Sequence, residues 1–164
     1  MNVTIEPASL EDAAEILALQ KLAYQSEAAI YGDYTIPPLT QTLDEMEADL
    51  REQVVLKASI EERIVGSVRG HVVGGTCHVG RLIVHPDLQN RGSGTRLLHA
   101  IERACPAAER FELFTGHRSE RNLHLYHKLG YEAFKHERVS DRLTLMFLEK
   151  YAARAQGLVL DGER

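Results

Sequence analysis

Apolar residues change their spacing several times along the chain, and each change marks an element. Val3 and Ile5 alternate with polar neighbours and stop at Pro7, which predicts a short first strand. Ser9 and Asp12 form an S-x-x-D capping pattern ahead of Leu10, Ala13, Ala14, Leu17, Lys21 and Tyr24. Those positions draw one stripe along a helix, widened by Ile16 and Leu22. Gly32 and the Pro37-Pro38 pair forbid a helix continuing through Tyr31–Pro38. Leu43, Met46 and Leu50, at i, i+3 and i+7, predict a second, short helix.

From Val54 the period becomes two. Val54, Leu56, Ala58 and Ile60 share a strand face, and Glu61-Glu62-Arg63 turns the chain. Ile64–Val73 and Thr76–Val84 follow, separated by Gly74-Gly75. Two glycines between such runs predict a type I′ hairpin, because both central positions need positive φ. A two-residue loop sets Val73 opposite Thr76 and His71 opposite His78. Thr95–Cys105 places Leu97, Leu98, Ile101 and Ala104 on one side of a helix that Pro106 stops. Phe111, Leu113 and Thr115 alternate as a strand, and a helix over Ser119–Leu129 ends at Gly130. Strands near Tyr131–Glu137 and Leu143–Leu148 close the pattern. The order βα α βββ α β α ββ describes an α/β (α+β) layer with a mixed sheet. A single domain is expected over residues 1–150, with residues 151–164 as a C-terminal tail.

Composition narrows the partners. The 164 residues hold 44% apolar and 26% charged side chains, as in an ordinary folded domain. The net charge of −5 argues against a broad nucleic-acid surface, which needs clustered Lys and Arg to replace counterions. No apolar run approaches the roughly 20 residues of a membrane helix. The start lacks a basic and apolar leader pattern, and the two cysteines, Cys77 and Cys105, show no metal-ligand spacing. We therefore expect no nucleic-acid, membrane or metal partner, a cytoplasmic setting, and cysteines that act as small buried apolar residues.

Chemistry concentrates in Gln89-Asn-Arg-Gly-Ser-Gly94, between an apolar strand and an amphipathic helix. Gly92 and Gly94 let the backbone turn tightly and approach a ligand. The free N–H groups of the helix start, with Arg91, then suit an anion. A Walker A loop needs a Lys after its last Gly, and here Thr95-Arg96 follows. A Rossmann loop needs G-x-G-x-x-G after the first strand, and neither spacing nor position agrees.

The stretch Val79-Gly-Arg-Leu-Ile-Val-His-Pro-Asp-Leu-Gln-Asn-Arg-Gly-Ser-Gly-Thr-Arg-Leu-Leu resembles the acetyl-CoA segment of the GNAT superfamily of N-acetyltransferases. Gln89, Arg91, Gly92 and Gly94 fill its Q/R-x-x-G-x-G/A pattern. Ser119-Glu-Arg-Asn-Leu-His-Leu-Tyr-His-Lys-Leu-Gly-Tyr131 is similar to the second signature, a helix carrying Tyr and ending in Gly-Phe/Tyr. The resemblance implies a mostly antiparallel central sheet, splayed at the cofactor strand and flanked by about four helices. It implies acetyl transfer from acetyl-CoA to a small-molecule amine or a protein amino group, through a ternary complex, in a chain that can form a homodimer. A non-catalytic acyl-CoA sensor is the alternative.

By the same resemblance, Gln89, Asn90, Arg91, Gly92, Ser93, Gly94 and Thr95 hold the cofactor's pyrophosphate region. Leu82, Ile83 and Val84 pair with its pantetheine arm and supply a main-chain oxyanion donor. Tyr126 is the general acid, since a phenol can protonate a departing thiolate. The family's cofactor-binding Asn falls at Ser119 here, with Asn122 one turn on, and both are candidates. For the general base, His78 is the first candidate and His117 the next. Tyr31–Leu39 resembles the family's variable substrate loop. Its Tyr31, Asp33 and Tyr34 suit a cationic amine, or else form a solvated turn.

Overall fold

The computed structural model describes residues 2–153. Its strands are β1 (Thr4–Pro7), β2 (Val54–Ile60), β3 (Arg63–Val73), β4 (Thr76–Val84), β5 (Arg110–Gly116), β6 (Glu132–Arg138) and β7 (Thr144–Tyr151). The helices are α1 (Ala13–Ala23), α2 (Gln25–Tyr31), α3 (Pro37–Thr40), α4 (Leu43–Glu52), α5 (Ser93–Ala104) and α6 (Glu120–Lys128). The strands form a 7-stranded sheet in the order β1-β2-β3-β4-β5-β7-β6. Every pairing is antiparallel except β4 with β5. This is the expected mixed, mostly antiparallel sheet.

The hairpin follows the sequence reading. Gly74 and Gly75 both take positive φ, and the register sets Val73 against Thr76 and His71 against His78. The first predicted helix instead divides at Tyr24 into α1 and α2, and α2 runs to Tyr31, where Gly32 closes it in the left-handed region. The proline pair that stops a helix from continuing starts the one-turn α3 instead, since Pro at a first helical position has no N–H to lose. At the other end β7 runs one residue past the expected domain boundary. Tyr151 pairs with Arg110, and the Ala152 N–H donates to Glu109. The remainder of the expected tail, from residue 154, lies outside the described residues.

Two clusters of buried side chains cover opposite sheet faces. Adjacent Val55 and Leu56 in β2 join different clusters, as strand alternation requires. One face packs under α5, whose Leu97, Leu98 and Ile101 are fully buried. The other packs under α1 and α4, through Ile16, Leu19 and Met46. Cys77 and Cys105 are both buried on the α5 side. Burial, then the neighbouring Cys105, pushes the Cys77 thiol up to about 12, so it stays protonated at neutral pH.

Candidate active site

The sheet opens at its centre. β4 and β5 pair only at Thr76 with Arg110, Cys77 with Phe111 and His78 with Glu112, and beyond that the two strands part. On its other edge, β4 slips register against β3 between Ile83 and Gly80, so two β4 residues, Arg81 and Leu82, face Val68 alone. This is a β-bulge, and Arg81 takes φ +50° there, a conformation costing about 1–3 kcal/mol for a non-glycine residue. In the contiguous apolar run Leu82-Ile83-Val84, the sequence shows where the strict alternation breaks. The His85 N–H donates to Val65 on β3. By alternation the Val84 N–H therefore turns to the β5 side, where no strand remains to receive it. A cleft of about 950 Å³ fills the gap, with Leu82, Ile83 and Val84 on one wall and Leu113, Phe114 and Thr115 on the other.

The glycine loop sits at the mouth. Pro86–Leu88 makes a short turn, Asn90 takes φ 64°, and Gly92 precedes α5 at φ 85° with no side-chain cap. The first α5 N–H to find an acceptor is that of Arg96, bonded to the Gly92 carbonyl. Those of Ser93, Gly94 and Thr95 meet no protein acceptor among the described residues. A Cβ at Gly92 would meet open space, and one at Gly94 would make only ordinary contacts, 3.5 Å from Leu125. Protein packing therefore does not explain Gly94. Three convergent, unpartnered donors under a bare backbone fit an anionic group such as a diphosphate. Gln89 lines the cleft beside them.

Tyr126 stands on the inner wall, buried, its ring 6.2 Å from that of Tyr131. No protein group bonds its hydroxyl among the described residues, yet no buried side-chain atom is left unsatisfied, so that hydroxyl opens to the cleft. Burial, then the charges of Tyr24 and Glu27, raises its pKa well above the ordinary phenol value. The phenol therefore stays protonated at neutral pH.

Beside it lies a polar cluster. Ser119 donates to Glu27 Oε2 at 2.5 Å, and Asn122 donates to Glu27 Oε1 and to Thr115, both at 3.1 Å. With the Ser119 proton committed, the Tyr31 hydroxyl donates to Ser119 Oγ at 2.7 Å and accepts from the Arg118 N–H. Ser119 and Asn122 thus share one carboxylate rather than competing for a single role, and both line the cleft. Tyr31 fits because residue 116 is glycine. A Cβ there would lie 1.9 Å from the Tyr31 oxygen.

Other candidates are not brought in. His78 lies at the closed end of the β4–β5 pair, 3.8 Å from Glu112, and does not line the cleft. His117 exchanges contacts with the backbone of Thr144 and also lies outside it. Asp33 spends its carboxylate on the Thr35 N–H and hydroxyl in an exposed turn, and Tyr34 points to solvent. Of the three substrate-loop candidates, only Tyr31 reaches the cleft. Among the described residues no group of three His, Cys, Asp or Glu side chains is placed to hold a metal ion. None of the described helices is long and apolar enough to cross a membrane.

Residues 15–131 match the model of the acetyltransferase (GNAT) family, well over half of the chain. The chain belongs to the GNAT acetyltransferase family. Members use acetyl-CoA as acyl donor, and the open loop at α5 fits its diphosphate. The fold is that of GNAT N-acetyltransferase structures. One is PaiA N-acetyltransferase from Thermoplasma acidophilum in complex with coenzyme A, at TM-score 0.77 and 16% identity, covering 93% of this chain and 100% of that one. Another is yncA from Salmonella typhimurium with its cofactor acetyl-CoA, at TM-score 0.72 and 19% identity, covering 92% and 94%. Among curated proteins, the UPF0157 protein YqkA of Bacillus subtilis is 27% identical over 161 residues, 93% of this chain. The chain spans 44% of that relative's length.

Within this GNAT cleft, sequence reasoning missed Glu27, Arg69, Arg81 and Gly116. Glu27 reads as one more polar residue of a helix. Arg81 occupies an ordinary-looking strand position, and only the apolar run after it hints at the bulge.

Proposed function

We propose that the protein transfers the acetyl group of acetyl-CoA to a primary amine by direct attack in a ternary complex. The observation that carries this reading is a cleft with the unpartnered Tyr126 hydroxyl on its inner wall, whose Val84 and Gln89 lining adjoins the unpartnered N–H donors at the start of α5. Acetyl-CoA supplies an activated acyl group; the amine nitrogen bonds the carbonyl carbon as the C–S bond breaks. The N–H groups of Ser93, Gly94 and Thr95 hold the diphosphate, with Gln89, Asn90, Arg91 and Gly92 shaping the loop. The β5-facing N–H of Val84, with the Leu82–Val84 backbone, pairs with the pantetheine arm and steadies the carbonyl oxygen. One such donor is worth about 2.7–4 kcal/mol.

Tyr126 gives its proton to the departing sulfur. Glu27, whose charge reaches Tyr126, takes the amine's proton directly or through water, in place of the histidines that lie outside the cleft. The Cys77 thiol, buried and protonated, is unsuited to carry an acyl group.

Acetyl-CoA at about 100 times its dissociation constant should add about 2.7 kcal/mol of stability and raise Tm by about 5–10 °C. Free thiol should then appear only when an amine is added. A Tm rise with no amine-dependent thiol would replace acetyl transfer by acyl-CoA sensing.

A further inference from the structure

We propose that the acceptor amine carries a carboxylate, held by Arg69 and Arg81 where the cleft meets a second, smaller pocket; the proposal rests on the acetyltransferase reading above.

The smaller pocket, about 340 Å³, is lined by Gln41, Glu45, Asp49, Arg69 and Arg81 among others. Both arginines also line the large cleft, so they form the partition between the two spaces. Their surroundings are unequal. Arg69 is paired with Asp49, which also accepts from Gln41 at 2.6 Å and Gln53 at 3.3 Å. Arg81 has no carboxylate partner among the described residues. Its one bond is to the neutral Gln41 Oε1 at 3.3 Å, and that oxygen already accepts from Gln20 at 2.8 Å.

Burial, then the neighbouring Arg69, lowers the Arg81 pKa. Two guanidinium groups side by side, one with no carboxylate bonded to it and half-hidden from water, are costly unless an anion joins them. The bulge at φ +50° adds backbone strain at the same residue.

Charge chooses the anion. Arg69 and Arg81 face one shielded carboxylate, Asp49, which leaves room for a monoanion between them. Glu45 also borders the smaller pocket and its charge reaches Arg81, but from an exposed position turned to Thr42, where solvent screens it. A planar carboxylate can take paired N–H bonds from a guanidinium.

Position chooses the rest of the molecule. Arg81 immediately precedes the Leu82–Val84 wall in β4, and Tyr24, Glu27 and Tyr126 line the same cleft. The arginine pair therefore adjoins the wall proposed for the thioester, which fits an amine and carboxylate separated by few bonds, as in an amino acid. The diphosphate loop is a different place, since none of Arg91–Thr95 lines the smaller pocket.

The test needs no variant to begin. With CoA present, calorimetric titration would compare N-acetyl derivatives of glycine, methionine and aspartate with their carboxamides. At least one acid should bind about 30-fold or more tightly than its carboxamide. Arg81→Gln and Arg69→Gln, checked for an unchanged melting curve, should bring the acid down to the amide. In turnover, the same variants should raise KM for the matching free amino acid while kcat changes little. Equal binding of acids and amides, or no binding of either, overturns the proposal. Preferred turnover of carboxamides or simple amines also overturns it, and leaves acetyl transfer standing. Acid-selective binding with no amine-dependent thiol release leaves the carboxylate site standing and overturns acetyl transfer.

Discussion

The two regions proposed to receive negative charge, one beside the cleft and one at its inner partition, are made in opposite ways. At the mouth, the donors are backbone N–H groups of three successive residues, Ser93, Gly94 and Thr95, aimed by one helix start. At the inner partition, the donors are side chains from β3 and β4, steadied by Gln41, by Asp49 of α4 and by Gln20 of α1. The first arrangement is local and cannot be deleted by changing one side chain. The second is a relay, and any link in it can fail. The macrodipole adds only about 0.3–2 kcal/mol at the mouth, so on this proposal geometry rather than charge does most of the holding there. At the partition charge dominates, because the guanidinium groups are shielded from water.

The largest expected effect lies between the two regions. Tyr126→Phe should lower kcat by about 10²–10⁴-fold and leave acetyl-CoA affinity within about twofold, measured by thiol release and by calorimetry. An unchanged kcat at every pH would remove Tyr126 from the reaction. Because burial raises its pKa, wild-type kcat should show no phenol-like alkaline fall below about pH 10.

Next comes Gly116→Ala. The new Cβ collides with the Tyr31 hydroxyl, so Tyr31 must leave Ser119, at a cost of about 1–3 kcal/mol in urea unfolding. Stability equal to wild type would show that Tyr31 has an alternative seat.

Arg91→Ala sharpens the contrast directly. If backbone donors hold the diphosphate, acetyl-CoA affinity should fall less than about fivefold, in line with one exposed charge. A loss comparable to that of Arg81→Gln for the acid probe would erase the difference between the regions.

The smallest effect is a pH dependence in the side-chain framework. Asp12 at the foot of α1 bonds Lys57 of β2 at 2.9 Å. Burial opposes the shift, but the Ser9 N–H and Lys57 hold its pKa below the ordinary 3.8. A depressed carboxylate contributes stability above its unfolded value, and that contribution is lost as pH falls through the folded value. The stability gap between wild type and Asp12→Asn should therefore be full near pH 6 and shrink below about pH 4.

The two regions also differ in how far the sequence reveals them. The backbone of the mouth was legible because it is written in one stretch: a glycine, Gly92, that takes positive φ, followed at once by an amphipathic helix. The position of Tyr126 on its helix was legible for the same reason, four residues before Gly130 in a recognisable helix end. The sheet was legible from period and from the Gly74-Gly75 hairpin, down to the register that sets His71 against His78. That register also carried His78 to the closed end of the sheet, where a base has no cleft to serve.

What the chain order alone determined was the strands, the longer helices and the local backbone devices, because φ preference and hydrophobic period act over a few residues. Tertiary structure alone decided which side chains meet. Glu27 lies 92 residues from Ser119, and Arg81 lies 40 from Gln41. Such contacts depend on how far β4 parts from β5 and on the one-residue slip at Arg81, which turns a strand position toward a partner that no local spacing encodes.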